Sequence, residues 1–205
     1  MARIIRKAES DDAPGIGRVQ LENWRVAYSE YLPEEYLDGM SDVRHSAMWS
    51  DVLGQLDRIG VTFVAEDEQA GIIAFADCAP ERTEDRIGAA VSNEGVVDDG
   101  DDNLASAKSG ELGSIFVLPK WQRQGIGQGF VANVARHLAG HEFESLVVWV
   151  LNDDPARGFY EALGGDACAL REIEFAGNSL VQVCYQWLDI SELMLIDMKG
   201  WQVGR

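Results

Sequence analysis

Ile115-Phe116-Val117-Leu118-Pro119-Lys120-Trp121-Gln122-Arg123-Gln124-Gly125-Ile126-Gly127-Gln128-Gly129 changes character twice along its length. The β-rich run that opens at Glu111 ends near Val117, and Pro119 starts a polar turn. Glycines 125, 127 and 129 then open a helical pattern in which Ile126, Phe130, Val134 and Leu138 recur every four residues, with Gly140 as the stop. Leu146-Val147-Val148-Trp149-Val150 is continuously apolar, as expected of a strand buried on both faces. A strand, a helix and a second strand in this order predict a parallel pair joined by a right-handed crossover.

Three glycines between a strand and a helix let the backbone pass close to a ligand and turn several N–H groups outward. Such a helix start binds phosphate. The spacing is not the dinucleotide pattern GxGxxG, and no lysine follows as in a Walker loop.

Outward from this unit, Arg3 to Ala8 reads as a short strand. Ser10-Asp11-Asp12-Ala13-Pro14 is a helix start that combines capping side chains with an early proline. That helix runs toward Tyr28, with Ile16, Val19, Asn23 and Val26 on one face and Trp24 and Tyr28 as an aromatic pair at i and i+4. A second helix from about Ser41 carries Met48, Trp49, Val52, Leu53 and Leu56 at helical spacing. Val61 to Ala65 and Gly71 to Ala76 form a hairpin about Glu66-Asp67-Glu68-Gln69. The polar stretch 80–110 reads as a flexible acidic loop. Downstream, Asp154 caps a helix starting at Pro155, with Ala156, Phe159, Tyr160 and Leu163 inward and Gly164-Gly165 as its end. Ala167 to Phe175 and Ser179 to Trp187 form a last hairpin, turning at Ala176-Gly177-Asn178. The expectation is one α/β domain over residues 1–190 with a mixed sheet, and a carboxy-terminal extension, 191–205. That extension is apolar enough to cover a core or to join a second copy in a homodimer.

With 17 Lys and Arg against 35 Asp and Glu, the net charge of −18 argues against nucleic acid as a partner, although it would suit an amine. Cys78, Cys168 and Cys184 form no CxxC pair and read as reduced core thiols. His45, His137 and His141 lack metal-ligand spacing, so no metal is expected. The start has no signal-peptide run and no stretch is long enough to span a membrane, which predicts a soluble, cytoplasmic protein with no membrane partner.

Gln122-Arg123-Gln124-Gly125-Ile126-Gly127 closely resembles the cofactor motif Q/R-x-x-G-x-G/A of the GNAT acetyltransferases. The resemblance continues in Pro155-Ala156-Arg157-Gly158-Phe159-Tyr160-Glu161-Ala162-Leu163-Gly164-Gly165 and in Trp24-Arg25-Val26-Ala27-Tyr28 with Leu32-Pro33, over residues 3 to about 190. It implies the GNAT fold: a mostly antiparallel sheet of about seven strands, helices on both faces, and a central parallel pair that splays apart at a bulge. It implies an enzyme that transfers the acetyl group of acetyl-CoA to a primary amine. A small molecule is the leading acceptor, with a protein amine, or an acyl-CoA sensor without turnover, as alternatives. N–H groups of Gln122, Arg123, Gln124, Gly125, Ile126, Gly127 and Gln128 would hold the pyrophosphate, and main-chain groups near Phe116 and Val117 the pantetheine arm. Tyr160 matches the family's general acid, and Glu111, read as the first residue of its strand, the general base. Many relatives place an asparagine where Asp153 stands, so Asn152, one residue earlier, is the candidate for that pantetheine contact. Trp24 and Tyr28 match the wall of the acceptor pocket.

Overall fold

Alternating and continuous apolar runs of this sequence assemble into one sheet whose strands lie, from edge to edge, in the order Asp166–Phe175, Asn178–Trp187, Phe143–Leu151, Lys108–Val117, Gly71–Pro80, Val61–Asp67, Arg3–Lys7 and Gln202–Val203. The computed structural model describes residues 3–27, 35, 39–82, 108–198 and 200–204. Its strands are β1 (Arg3–Lys7), β2 (Val61–Asp67), β3 (Gly71–Pro80), β4 (Lys108–Val117), β5 (Phe143–Leu151), β6 (Asp166–Phe175), β7 (Asn178–Trp187) and β8 (Gln202–Val203). All neighbours pair antiparallel except β4 with β5 and β1 with β8. The helices are α1 (Ala13–Ala27), α2 (Asp42–Leu53), α3 (Ile126–Ala139) and α4 (Arg157–Ala162). This is the mixed α/β GNAT arrangement with its central parallel pair. It has eight strands among the described residues, because the carboxy-terminal segment supplies one more.

The helix starts follow local chemistry. Glu9 and Asp12 exchange hydrogen bonds with each other's backbone across a short 3-10 turn that leads into α1. Ser41 caps α2 by accepting from the Arg44 N–H at 3.1 Å. Asp154 accepts from the Ala156 N–H at 2.7 Å, so α4 begins two residues later than the proline suggested.

The two sheet faces are assigned by packing. Trp49 of α2 meets Phe75 edge-on with centroids 4.9 Å apart, and Phe75 lies beside Phe116 at 5.6 Å, which puts both phenylalanines under α1 and α2. Gly110 lies under α3: a Cβ there would sit 2.5 Å from the Leu138 side chain. Side chains alternate along a strand, so Glu111, next to Gly110, belongs to the α1 and α2 face.

Several expectations are corrected. Glu111 is the fourth residue of β4 rather than its first, because strand pairing with β3 and β5 already holds Lys108, Ser109 and Gly110. Ile16, Val19 and Asn23 are buried as expected, but Val26 is exposed near the end of α1. Leu56 is also exposed, since α2 stops at Leu53 before Gly54. Cys78 and Cys184 are core residues, whereas Cys168 sits exposed at an irregularity in the β6–β7 pairing. Burial, then the neighbouring Cys168 thiol, pushes the Cys184 thiol well above its ordinary value. Residues 83–107, most of the acidic stretch, and Tyr28 lie outside the described residues.

The carboxy-terminal extension covers the core. Leu193 and Trp201 are buried, Met194 and Met198 pack against the core, and β8 pairs with β1 at the sheet's far edge. Arg136 of α3 donates to the Met194 carbonyl, and the Trp201 indole donates to the Gln124 carbonyl at 3.1 Å. The tail therefore ties the outer flank of α3 to the glycine-rich loop.

Candidate active site

β4 and β5 pair only from Lys108↔Phe143 to Glu111↔Val147. Beyond that point β4 stays with β3, while β5 follows β7, and the two central strands part. The cause is local: Cys78 pairs with Leu112 but Asp77 pairs with Ser114, so Gly113 is an extra residue that bends β4 away. A Cβ at Gly113 would make only an ordinary contact, 3.9 Å from the Asp77 carbonyl, so the bulge comes from the pairing and does not require glycine.

Opening the strands leaves backbone groups facing the gap. The Leu118 N–H bonds to the Ile73 carbonyl at 3.0 Å, which sets the antiparallel alternation of β4 on β3. Phe116 therefore turns its main-chain groups toward β3, and Ile115 and Val117 turn theirs into the gap. Of the two residues expected to offer main-chain groups, Val117 therefore faces the gap and Phe116 does not; Ile115 does, while the Phe116 ring lies beside Phe75 on the α1 and α2 face. The Val117 carbonyl is already taken by the Gln122 side-chain amide at 3.1 Å, which leaves the Ile115 groups and the Val117 N–H.

At the end of the gap the chain makes one 3-10 turn, Pro119–Trp121, and enters α3. Arg123 (φ 61°) and Gly125 (φ 82°) are both left-handed, which curls the loop around the helix end. Gly129 makes the first helical bond, to the Gly125 carbonyl at 2.9 Å. The N–H groups of Ile126, Gly127 and Gln128 precede any carbonyl four residues back in the helix and point out of its positive end. Gln122 differs from the expectation, because its N–H bonds to the Pro119 carbonyl at 3.2 Å. Its side chain and that of Gln124, which bonds to the Lys120 carbonyl at 3.2 Å, brace the loop instead. A cavity of about 410 Å³ beside the loop is lined by Arg123, Gln124, Gly125, Gln128, Ile196 and Asp197.

A second cavity, about 230 Å³, runs through the splay. Leu112 to Phe116 and Val148 to Leu151 form its sides, with Asp154, Ala156 and Tyr160 at the α4 end. Trp24, Ile173, Phe175, Leu180 and Gln182 close the other end. Tyr160 is 4 % exposed, held by rings of Phe159 (5.2 Å between centroids), Tyr185 (6.0 Å) and Trp187 (6.4 Å). Trp24 meets Phe175 and His45 edge-on at 5.7 and 6.3 Å. Glu111 stands half-buried at the last paired position before the splay. On the same face, Asp77 is occupied by Arg58 at 2.7 Å and by the Thr62 hydroxyl at 2.6 Å. Asn152 lies outside the cavity lining. Its carbonyl and side-chain oxygen accept from Arg157 at 2.8 and 3.1 Å, so it props the start of α4.

A split parallel pair, a left-handed glycine loop and a tyrosine at the mouth of the gap define an architecture that can be compared directly with known proteins. A Bacillus subtilis (strain 168) protein named as the uncharacterized N-acetyltransferase YuaI is 31% identical over 189 residues, spanning 92% of this chain and 95% of that protein. This chain belongs to the GNAT acetyltransferase family. The acetyltransferase also matches the FR47-like protein family over residues 101–173. Solved structures share its fold: the PaiA N-acetyltransferase of Thermoplasma acidophilum with coenzyme A (TM-score 0.59, 14% identity, 89% of this chain and 98% of that one) is one. YncA of Salmonella typhimurium with acetyl-CoA (0.60, 16%, 92% and 95%) is another. A phosphinothricin acetyltransferase of Sinorhizobium meliloti with acetyl-CoA (0.60, 18%, 91% and 88%) is a third.

Sequence reasoning about this acetyltransferase missed Ser114, Trp149, Ile173, Phe175, Leu180 and Gln182, which line the gap. Period-two alternation along β6 and β7 marks Ile173 with Phe175, and Leu180 with Gln182, as sharing faces. Nothing in the sequence says that this face meets the opening between β4 and β5.

Proposed function

We propose that this acyltransferase moves the acetyl group of acetyl-CoA to the primary amine of a small molecule, by direct attack in a ternary complex. The observation that carries the reading is the splay itself. It opens a 230 Å³ cavity that reaches Tyr160 on one side and Trp24 on the other, and Ile115 on its wall lies next to Gly127 at the start of α3, 3.8 Å from where a Cβ would stand. That cavity is smaller than the roughly 300 Å³ at which pockets for drug-sized ligands begin, which favours a compact acceptor.

In this reading the N–H groups of Arg123 to Gln128 and the helix dipole hold the pyrophosphate. The fit of the loop supports it. Gly127 passes so close to α4 that a Cβ would lie 3.1 Å from the Phe159 ring, so a side chain would fill the approach to the helix end. Ile115 and Val117 hold the pantetheine arm by main-chain bonds. Asn152 contributes through Arg157 rather than by touching the arm. The amine enters from the α1 and α2 face, where Glu111 takes its proton, directly or through one water. Its nitrogen bonds to the thioester carbon, the carbon–sulfur bond breaks, and Tyr160 protonates the departing thiolate. Trp24 walls the acceptor.

The test is calorimetric titration with acetyl-CoA, followed by thiol release across amines, amino acids and a lysine peptide. Binding and turnover of a small amine is the expected result. Binding without turnover on any amine would favour a sensor, and turnover of the peptide alone would move the acceptor to protein.

A further inference from the structure

Burying an indole N–H without an acceptor costs about 1–3 kcal/mol, so a site that keeps one has a use for it. The Trp149 Nε1 is buried and has no hydrogen-bond acceptor among the described residues, and Trp149 lines the 230 Å³ cavity. It stands on the same sheet face as Glu111, since Val147 pairs with Glu111 and Trp149 follows two residues later.

Its surroundings carry a second donor. Gln182, which also lines the cavity, presents its side-chain oxygen to the Arg171 Nε at 2.8 Å. An arginine only donates, so this bond fixes the amide orientation and leaves the Gln182 NH₂ as the end with no protein acceptor among the described residues. The Arg171 guanidinium also lies over the Trp149 ring, 4.1 Å from its centroid. A positive charge thus backs both donors. Trp24, Ile173, Phe175 and Leu180 supply apolar walls around them.

We infer that Trp149 and Gln182, backed by Arg171, form a subsite for a carboxylate carried by the acceptor, which is then an apolar aminocarboxylate such as a free amino acid. The inference rests on the small-molecule reading of the proposed function and narrows it. Two N–H donors and a nearby cation match the two oxygens of a carboxylate better than a lone carbonyl. A chain with a net charge of −18 repels free anions, whereas a zwitterion carries no net charge into the cleft. Its ammonium end approaches Glu111 while its carboxylate meets Trp149.

The test compares an apolar amino acid, its carboxamide and its decarboxylated amine as acceptors, in the wild type and in Trp149→Phe and Gln182→Met. Each substitution keeps an apolar body and removes one donor. The expected result is that kcat/KM falls from amino acid to carboxamide to amine, and that each variant lowers the ratio of amino acid to amine by about ten- to hundred-fold. A second readout needs no turnover: the indole N–H resonance of Trp149, assigned by its loss in Trp149→Phe, should move downfield when the amino acid is added with CoA. An unmoved resonance, or variants that leave the ratio unchanged, would overturn the subsite. A preference for the carboxamide would reassign it to a peptide carbonyl and overturn the aminocarboxylate. A moved resonance with transfer only to peptides would uphold the subsite and remove the small-molecule reading.

Discussion

Replacing Tyr160 by phenylalanine separates its ring from its hydroxyl. The ring is 4 % exposed and lies among Phe159, Tyr185 and Trp187, with centroids 5.2 to 6.4 Å away. Phenylalanine keeps all three contacts, so only the hydroxyl is lost, and the stability change should be about 1 kcal/mol. In a domain of this size that lowers Tm by about 2–4 °C. Tyr160→Ala removes the ring as well and should cost about 3–5 kcal/mol. Catalysis should respond differently. Loss of a general acid lowers kcat by about 10² to 10⁴, which is about 3–5 kcal/mol at 1.36 kcal/mol per decade. KM for acetyl-CoA should hold, because in the proposed function its pyrophosphate is held by main-chain N–H groups of the loop and α3 and not by the Tyr160 hydroxyl. The assay is thiol release at saturating acetyl-CoA, with thermal melting of the same samples. A Tyr160→Phe enzyme within about threefold of wild-type kcat would refute the assignment and leave Tyr160 as a packing residue.

Glu111→Gln should lower kcat/KM for the amine by about 10² to 10⁴ and flatten the acidic limb of its pH profile; an unaltered limb would assign the base to water or to another carboxylate. Gly60→Ala should cost about 3 kcal/mol, since its Cβ would stand 2.3 Å from the Cys78 carbonyl oxygen and neither backbone can yield, whereas Gly158→Ala, with open space around it in α4, should be neutral or gain about 0.5–1 kcal/mol; denaturant titration checks both. Asp12 gives a pH dependence of stability. Burial raises its carboxyl, but side-chain bonds from Arg6 at 2.6 and 2.9 Å, the Glu9 N–H and the Arg6 charge together hold it below the ordinary carboxylate value. Its contribution is therefore complete above the unfolded value and is lost as pH falls through the folded one. Asp12→Asn should lower Tm at neutral pH and show a smaller further loss on acidification; parallel Tm–pH curves would remove Asp12 from the acid transition.

The strand–loop–helix–strand unit was legible because periodicity and glycine spacing act locally, and the tyrosine was legible because it lies within a second local motif. What the sequence hid is set by pairing between distant segments. Glu111 looked like a strand start because Lys108, Ser109 and Gly110 are polar or small, yet β5 pairs with all three and β3 with Gly110. The Gly113 bulge shows only as a shift between Cys78 and Asp77 on another strand. Leu56 matched the spacing of α2 but follows its Gly54 stop. Trp149 read as one residue of a buried run. Its meaning depends on Gln182 and Arg171, which reach it through two further strands.

β8 lies against β1, with Gln202 and Val203 opposite Ile4 and Ile5. During synthesis the first strand therefore emerges with one edge that its own partner cannot cover until nearly two hundred further residues have been made. Until then that edge is open to other chains, and the contact that closes it has a high sequence separation and forms late. Since the same tail meets the glycine loop through the Trp201 indole, that bond too waits until the last residues have been made.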